Sequence, residues 1–378
     1  MYSYKRYTSI FLFLCFFIIL FNLIIWNIYT KKVFLSDNIV GDLARMSYQL
    51  DFIDKRKNVN FLNKKHINYN EWGGEPVDII TIGDSFSNAG AGGRNPYYQD
   101  YLSTFFDFHV VNIQPLSFGF IETVLGLKSS GILDKMKPKY IILQSVERSS
   151  ISRYSKNINF NLKINYEEMN KLLKIKYKFS KPEPNFLTHL NFNAFLYNLF
   201  YKYDDNAFYS DVFKAKLSKD FFSTSISNEL LFYFEDIKNI EYSNSESIKR
   251  LNDNLNELQV ILNEYNIKLL FMPSVDKYNL YSKYITNNVY SKSIFFEELR
   301  NLNKKYYLID TKAILSILLE HGKKDIYYSD DTHWSFVASE EIILDLNKNL
   351  FKKENIYKDL ENLRKQIKEY DLNKLGLD

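Results

Sequence analysis

Five short apolar runs constrain this chain more than any other feature. They are Val77–Ile82, His109–Ile113, Lys139–Val146, Ile267–Met272 and Tyr306–Asp310, all of strand length and rich in β-branched or aromatic residues. Most lack a regular polar alternation, which suits strands covered on both faces. Helical patterns lie between them. Pro96 to Phe106 has proline in its first turn, and Gly119 to Met136 places Ile121, Val124, Leu125 and Leu127 on a partial apolar face. Ser243-Asn244-Ser245-Glu246 has a capping-box arrangement and leads into Leu251, Leu255, Leu258 and Leu262. Further helices are expected over Phe295–Leu302, Thr311–Glu320 and Ser335–Leu350, with Pro273 stopping the fourth strand. Such alternation predicts an α/β fold, a three-layer parallel sheet with helices on its faces.

The α/β frame is expected over 76–350. From Ser149 to about Tyr242 the regular pattern lapses into a stretch rich in Asn, Lys, Tyr and Phe. This reads as a mostly helical or irregular insertion (about 149–242) over one end of the sheet, with helices near Tyr166–Tyr177 and Asn191–Tyr203. Residues 351–378 form a charged, helical tail. Residues 31–75, polar and without apolar periodicity, suit a juxtamembrane stalk plus a packing segment.

Upstream, Ser9 to Tyr29 is apolar apart from a few polar positions such as Asn22 and Asn27. About 20 such residues at roughly 1.5 Å each span a hydrocarbon core. Lys5 and Arg6 precede the run and Lys31 and Lys32 follow it, so flanking charge is nearly balanced. The short N-terminus and the lack of a small-x-small cleavage site favour an uncleaved signal anchor. Residues 1–30 are therefore read as a cytoplasmic stub and single-pass transmembrane anchor, with the main domain periplasmic or extracellular.

Net charge is +4 over 378 residues, with acids and bases interspersed. No basic stripe or nucleic-acid motif stands out, so nucleic acid is not an expected partner. Cys15 is the single cysteine, which excludes internal disulfides and multi-cysteine metal sites. No metal or cofactor is expected. The 30 Tyr and 31 Phe have a compositional explanation in AT-rich coding, and a functional one in stacking against sugar rings.

Chemistry enters where the first strand ends in Gly83-Asp84-Ser85. A serine at a strand's C-terminal end is a poor nucleophile until a base removes its proton. Far downstream, Asp330-Asp331-Thr332-His333-Trp334 supplies a histidine with adjacent carboxylates. Loops at the C-terminal ends of parallel strands gather on one edge, so Ser85 and His333 can meet there. A carboxylate would orient the imidazole, and Ser85 Oγ should lie within about 3–3.5 Å of a His333 nitrogen. Each residue also has a plain structural reading: Ser85 as a turn residue, His333 as a buried hydrogen-bonded histidine, Asp84 as a brace.

Together these stretches resemble the SGNH (GDSL-type) hydrolase superfamily, with Gly83-Asp84-Ser85 matching its first block and the acid-histidine stretch its last. The longer Gly-Asp-Ser-Phe-Ser and Asp-Thr-His-Trp forms, and Glu147-Arg148 after the third strand, resemble the alginate O-acetyltransferase branch. In that branch the Asp-x-His motif precedes the serine block; here it follows, as in other SGNH hydrolases. The resemblance covers roughly 75–148 and 245–350 and implies a flavodoxin-like sheet. It also implies catalysis by Ser85, His333 and Asp331, with Asp330 as rival acid because Asp-x-x-His spacing fits as well. Gly119 and Asn112 are oxyanion candidates by position, beside the Ser85 backbone N–H. Arg148 is read equally as a ligand for an anionic sugar or as the partner of an acid. Lys277 and Tyr281 match a Pro-Lys-Tyr pattern loosely and otherwise read as surface residues. Tyr327, Tyr328 and Trp334 flank the site, to pack a sugar ring or the core.

The implied activity is O-acetylation of a cell-envelope or secreted polysaccharide, fed by a separate multi-span membrane acyltransferase. A carbohydrate esterase using the same residues and an inactive glycan-binding or assembly protein are the alternatives.

Overall fold

The computed structural model describes residues 2–35, 39–88, 90–175 and 184–375. Its strands are β1 (Ile67–Asn68), β2 (Ile79–Ile82), β3 (Val110–Ile113), β4 (Tyr140–Val146), β5 (Val212–Lys216), β6 (Glu229–Tyr233), β7 (Lys268–Ser274) and β8 (Tyr307–Leu308). Six of them form a parallel sheet in the order β1-β3-β2-β4-β7-β8. Ile80 lies level with Val111 on one side and Ile141 on the other. Ile79, Ile80, Ile82, Val111, Ile113, Ile141, Ile142, Leu143, Leu269, Leu270 and Phe271 are all fully buried. Burial on both faces is why these strands read as continuous apolar runs.

Helices cover the sheet in two sets, each packed within itself. One contains 120–129, 147–154, 245–263 and 295–301; the other contains 98–106, 311–320 and 336–346. The chain leaves β2 for β3 in one direction and then returns past β2 to β4 in the other. Strand order therefore reverses between β2 and β4, where an open α/β sheet leaves a crevice beyond its strand ends. The loop carrying Ser85 starts there.

Several expectations change in detail. Pro273 does not stop its strand: β7 runs through it to Ser274, paired with β4, while β8 pairs only with Leu270 and Phe271. Past β8 that side of β7 needs no ladder donor, so proline is tolerated. The Pro273 carbonyl accepts instead from Thr311 Oγ1 at 2.5 Å. The helix expected over Gly119–Met136 breaks at Gly131, whose φ of 73° separates Phe120–Ser129 from Ile132–Met136. The helix near Leu251 is capped by Asn244, which accepts from Ser247 N, one residue later than the capping-box reading.

The insertion contains an antiparallel β5–β6 pair besides its helices Tyr166–Leu173 and Leu190–Phe200. The end of the former expected helix, from 176 onward, lies outside the described residues. Within the 31–75 segment, residues 40–72 carry side chains that pack into the folded domain. Leu43, Ala44 and Phe52 are fully buried, and Leu62 and Tyr69 join the main core. Their regular pieces, such as the helix Asp42–Ser47 and the two-residue β1, are too short to print a periodicity. The tail helix Ile356–Leu375 docks Ile356, Leu360, Leu363 and Ile367 on the same core.

The N-terminal helix runs Tyr2–Ile25 and continues through a π-helical turn, Trp26–Thr30, into Lys31–Phe34. Its Tyr4–Phe34 stretch contains an 18-residue window of mean hydropathy 2.7 and is long and apolar enough to cross a membrane.

Leu270, in the middle of the sheet, gives a direct test of the core. Leu270→Ala is expected to cost about 2–5 kcal/mol of unfolding free energy, whereas Val260→Ala, on an exposed helix face, stays within about 0.5 kcal/mol. Urea denaturation of the two variants checks this.

Candidate active site

Gly83 follows β2 at a point where no side chain fits. A Cβ there would lie 2.1 Å from Ser87 Oγ and 2.5 Å from Gln144 Oε1. That closeness lets Gln144, on β4, accept from Asp84 N and from Ser87 Oγ, both at 3.0 Å. The Asp84 carboxylate braces the turn, accepting from Val146 N at 2.7 Å, from Phe86 N at 3.2 Å and from Arg153. Burial opposes its charge, but Arg153 and these donors hold its pKa below the usual carboxylate value. Asn88 closes the turn by donating to the Gly83 and Asp84 carbonyls. Ser85 then begins a short helix, Ser85–Asn88, with its side chain exposed.

His333 stands over it. Its Nε2 is 2.7 Å from Ser85 Oγ, while Nδ1 is 2.6 Å from Asp331 Oδ1. In the tautomer this arrangement fits, Nδ1–H donates to the carboxylate and Nε2 accepts from the serine. Phe86 lies against the imidazole with ring centroids 4.7 Å apart and packs edge-on to Trp334. The ring is thus held by packing as well as by hydrogen bonds.

The two adjacent acids separate cleanly. Asp331 faces the imidazole, whereas Asp330 turns away to accept from Arg56 at 2.6 Å and from Gly41 N at 2.8 Å. Arg56 also reaches Asp331 Oδ2 at 3.2 Å, donates to the Ala91 carbonyl and lies over the Tyr328 ring. Gly41 is required by proximity, since a Cβ there would sit 2.1 Å from the Asp330 carbonyl oxygen. Asp42 accepts from Thr332 N at 2.8 Å and from Thr332 Oγ1, and its own N–H donates to Asp331 Oδ2. Burial works against the Asp331 charge, but His333 and Arg56 hold its pKa far below the ordinary value. Burial likewise disfavours the His333 cation, yet Asp331, with Asp42 and Asp84 beyond, lifts its pKa above the usual imidazole value. Asp330 is pushed up to about 6, mainly by burial and against the pull of Arg56.

Other residues singled out in the sequence have different places. Lys277 is not a surface residue; it is buried and donates to the carbonyls of Tyr328, Ser329 and Asp331 at 2.7, 3.0 and 3.1 Å. Burial lowers its pKa to about 8. Tyr281 is fully buried against Phe221, Phe222 and Tyr327. Arg148 is paired with acids, its guanidinium 3.0 Å from Asp236 and 2.8 Å from Asp276. Glu147 accepts from Asp276 N, Asn279 and Ser293. Tyr327, Tyr328 and Trp334 are core residues.

Neither positional oxyanion candidate offers an uncommitted donor. Gly119 N donates to the Leu116 carbonyl, and Asn112 Nδ2 donates to Asn88 Oδ1 at 2.8 Å. The Ser85 backbone N–H, at the start of its helix, has no acceptor among the described residues.

Asp42, Asp331 and His333 also bring one ligand atom each within 4.8 Å of one another, a spacing that can hold a metal ion. Binding there would break the Asp331–His333 hydrogen bond and compete with the Arg56 cation for Asp331. Arg56, inside the charged run Asp54-Lys55-Arg56-Lys57, and Asp42 carry no motif that marks them in the sequence. No protein-family model, curated protein or solved structure matches this chain.

Two outcomes follow from the charges. Arg56→Ala, which leaves two buried carboxylates without their counter-ion, is expected to cost about 3–5 kcal/mol by denaturation. The second concerns pH. If His333 takes the serine proton it must be neutral, so its raised pKa places the acidic limb of kcat/KM above about 6.5. Asp331→Asn should move that limb down and lower the plateau by about 10⁴, read from ester-hydrolysis pH profiles.

Proposed function

We propose that this chain is a membrane-anchored, serine-dependent O-acyltransferase with an SGNH-like, flavodoxin-like α/β domain. The observation that carries the reading is the continuous relay of Ser85 Oγ, His333 and Asp331, with contacts of 2.7 and 2.6 Å, at the C-terminal edge of the sheet. Strand order supports it too: without the edge strand β1, the parallel strands run 2-1-3-4-5, the flavodoxin order.

In this mechanism His333 Nε2 takes the Ser85 proton as Oγ attacks the acyl donor's carbonyl. The developing oxyanion is met by the Ser85 N–H; such donors typically contribute about 3–4 kcal/mol to the transition state. Asp331 stabilises the imidazolium, which returns the proton to the leaving group. An acceptor hydroxyl then gives its proton to His333 and attacks the Ser85 ester; the acyl–Oγ bond breaks and His333 returns the proton to Ser85 Oγ, releasing the acylated acceptor. The acyl group is acetyl and the acceptor a hydroxyl of a cell-envelope or secreted polysaccharide, by resemblance to the alginate branch. The N-terminal helix anchors the chain with its N-terminus in the cytoplasm and its main domain outside. A multi-span membrane acyltransferase would supply the acyl group.

Hydrolysis is the second reading, favoured by the exposure of Ser85, which leaves the ester open to water. Incubating the full-length protein in detergent with 4-nitrophenyl acetate, with and without acceptor oligosaccharide, separates the two. Acetylated sugar is expected for transfer; free acetate alone means an esterase. Ser85→Ala should lower either activity at least about 10³-fold. Retained activity in that variant would end the serine mechanism. Chelation tests the metal reading of Asp42, Asp331 and His333: EDTA is expected to leave turnover unchanged, and loss restored by a divalent ion would favour the metal.

A further inference from the structure

We propose that the exposed face of the insertion helix Leu190–Phe200 lies in the lipid interface, beside the N-terminal helix, on the side of the bilayer that holds the folded domain. The sequence of this helix, Leu-Asn-Phe-Asn-Ala-Phe-Leu-Tyr-Asn-Leu-Phe, contains no charged residue. Asn191 and Ala194 are fully buried against the protein. Phe192, Phe195 and Leu199, at i, i+3 and i+7, form a second stripe that is 48%, 42% and 38% exposed. Phe186 and Leu187 extend this apolar surface just before the helix. Helices in water put polar side chains on the face turned away from the core; this one does not.

The helix is fastened directly to the membrane-length segment. Asn191 Nδ2 donates to Asn22 Oδ1 at 2.8 Å, and Thr30 Oγ1 donates to Asn191 Oδ1 at 2.7 Å. Phe21 packs on Phe192 and Phe195, with ring centroids 5.0 and 5.6 Å away. The exposed stripe is therefore continuous with the exposed apolar side chains of the N-terminal helix, from Ile10 to Ile24. Depth follows from helix geometry. Phe21 lies about 8 residues, or roughly 12 Å, before Tyr29, the end of the apolar run. A hydrocarbon layer that covers that run also reaches the level of Phe192 and Phe195. Interfacial helices commonly bury their apolar face by about 5–10 Å, and roughly 12 Å sets these rings slightly deeper, in the outer part of the hydrocarbon. The Asn22–Asn191–Thr30 contacts satisfy polar groups among themselves, as low-dielectric surroundings require.

The proposal does not depend on acyl transfer, only on the N-terminal helix crossing the bilayer. Lipid is the occupant because the stripe continues a lipid-facing surface. The test uses the full-length protein with Cys15→Ser, reconstituted alone into phosphatidylcholine–phosphatidylglycerol vesicles. Spin labels are placed singly at Phe195→Cys and Leu199→Cys, with Phe13→Cys as the span control and Val289→Cys, 83% exposed, as the water control. The collision ratio of oxygen to a water-soluble nickel chelate at 195 and 199 is expected to shift toward that of the Phe13 label. If both labels instead match Val289 while Phe13 reads lipid, the proposal is overturned. If the Phe13 label also reads water, the span itself fails and takes the proposal with it. Because the vesicles hold no second protein, a stripe that stays in water there would point to a protein partner instead.

Discussion

Two carboxylates adjacent in sequence are buried beside one histidine, and Arg56 makes this possible. Burying a charge costs several kcal/mol unless a partner and hydrogen bonds compensate, and like charges side by side raise that cost. The Arg56 guanidinium answers both acids, one nitrogen to Asp330 and another to Asp331. With Asp330 drawn away to Arg56 and Gly41 N, Asp331 keeps its charge and directs it at His333 Nδ1. The orientation of the imidazole, and so its reach to Ser85, depends on this division of roles between neighbouring residues.

The supports of the 328–333 loop come from distant parts of the chain. The segment before the sheet contributes Gly41, Asp42 and Arg56. From the other side, Lys277 donates to three backbone carbonyls of that loop, at Tyr328, Ser329 and Asp331. Asp276, next to Lys277, is paired with Arg148, which also holds Asp236 of the insertion. A displacement of the insertion would thus be felt, through Arg148 and Asp276, at the residue that carries the histidine loop. Arg148 acts here as a tie between elements and not as a free cation.

The sheet was legible because its strands are buried on both faces and so carry unbroken apolar runs. β1 was not, since two residues bear no pattern, and β7 was cut short at Pro273 because its neighbour β8 ends earlier than a sequence reveals. Ser85 and His333 stood out through the chemistry of their motifs. Spacing could not choose between Asp330 and Asp331, because either can reach an imidazole two or three residues away; the choice lies in which side chain Arg56 and Gly41 N claim. Arg56 and Asp42 are common residue types whose contacts lie 274 and 290 residues away, and no local pattern encodes such pairs. Lys277 misled for a related reason. A lysine is ordinarily exposed, and its burial is offset by three carbonyls that only the folded chain brings together.

Reaction of the serine with an organophosphonate ester tests the central claim most directly, because it requires the base but neither acceptor nor natural donor. The mass of the peptide containing Ser85 is followed after exposing the full-length protein to the reagent, beside a His333→Ala variant. Phosphonylation of Ser85 in the wild type, and its near-complete loss without His333, is the predicted result. Modification elsewhere in the chain, or equal labelling of Ser85 in both proteins, would contradict it.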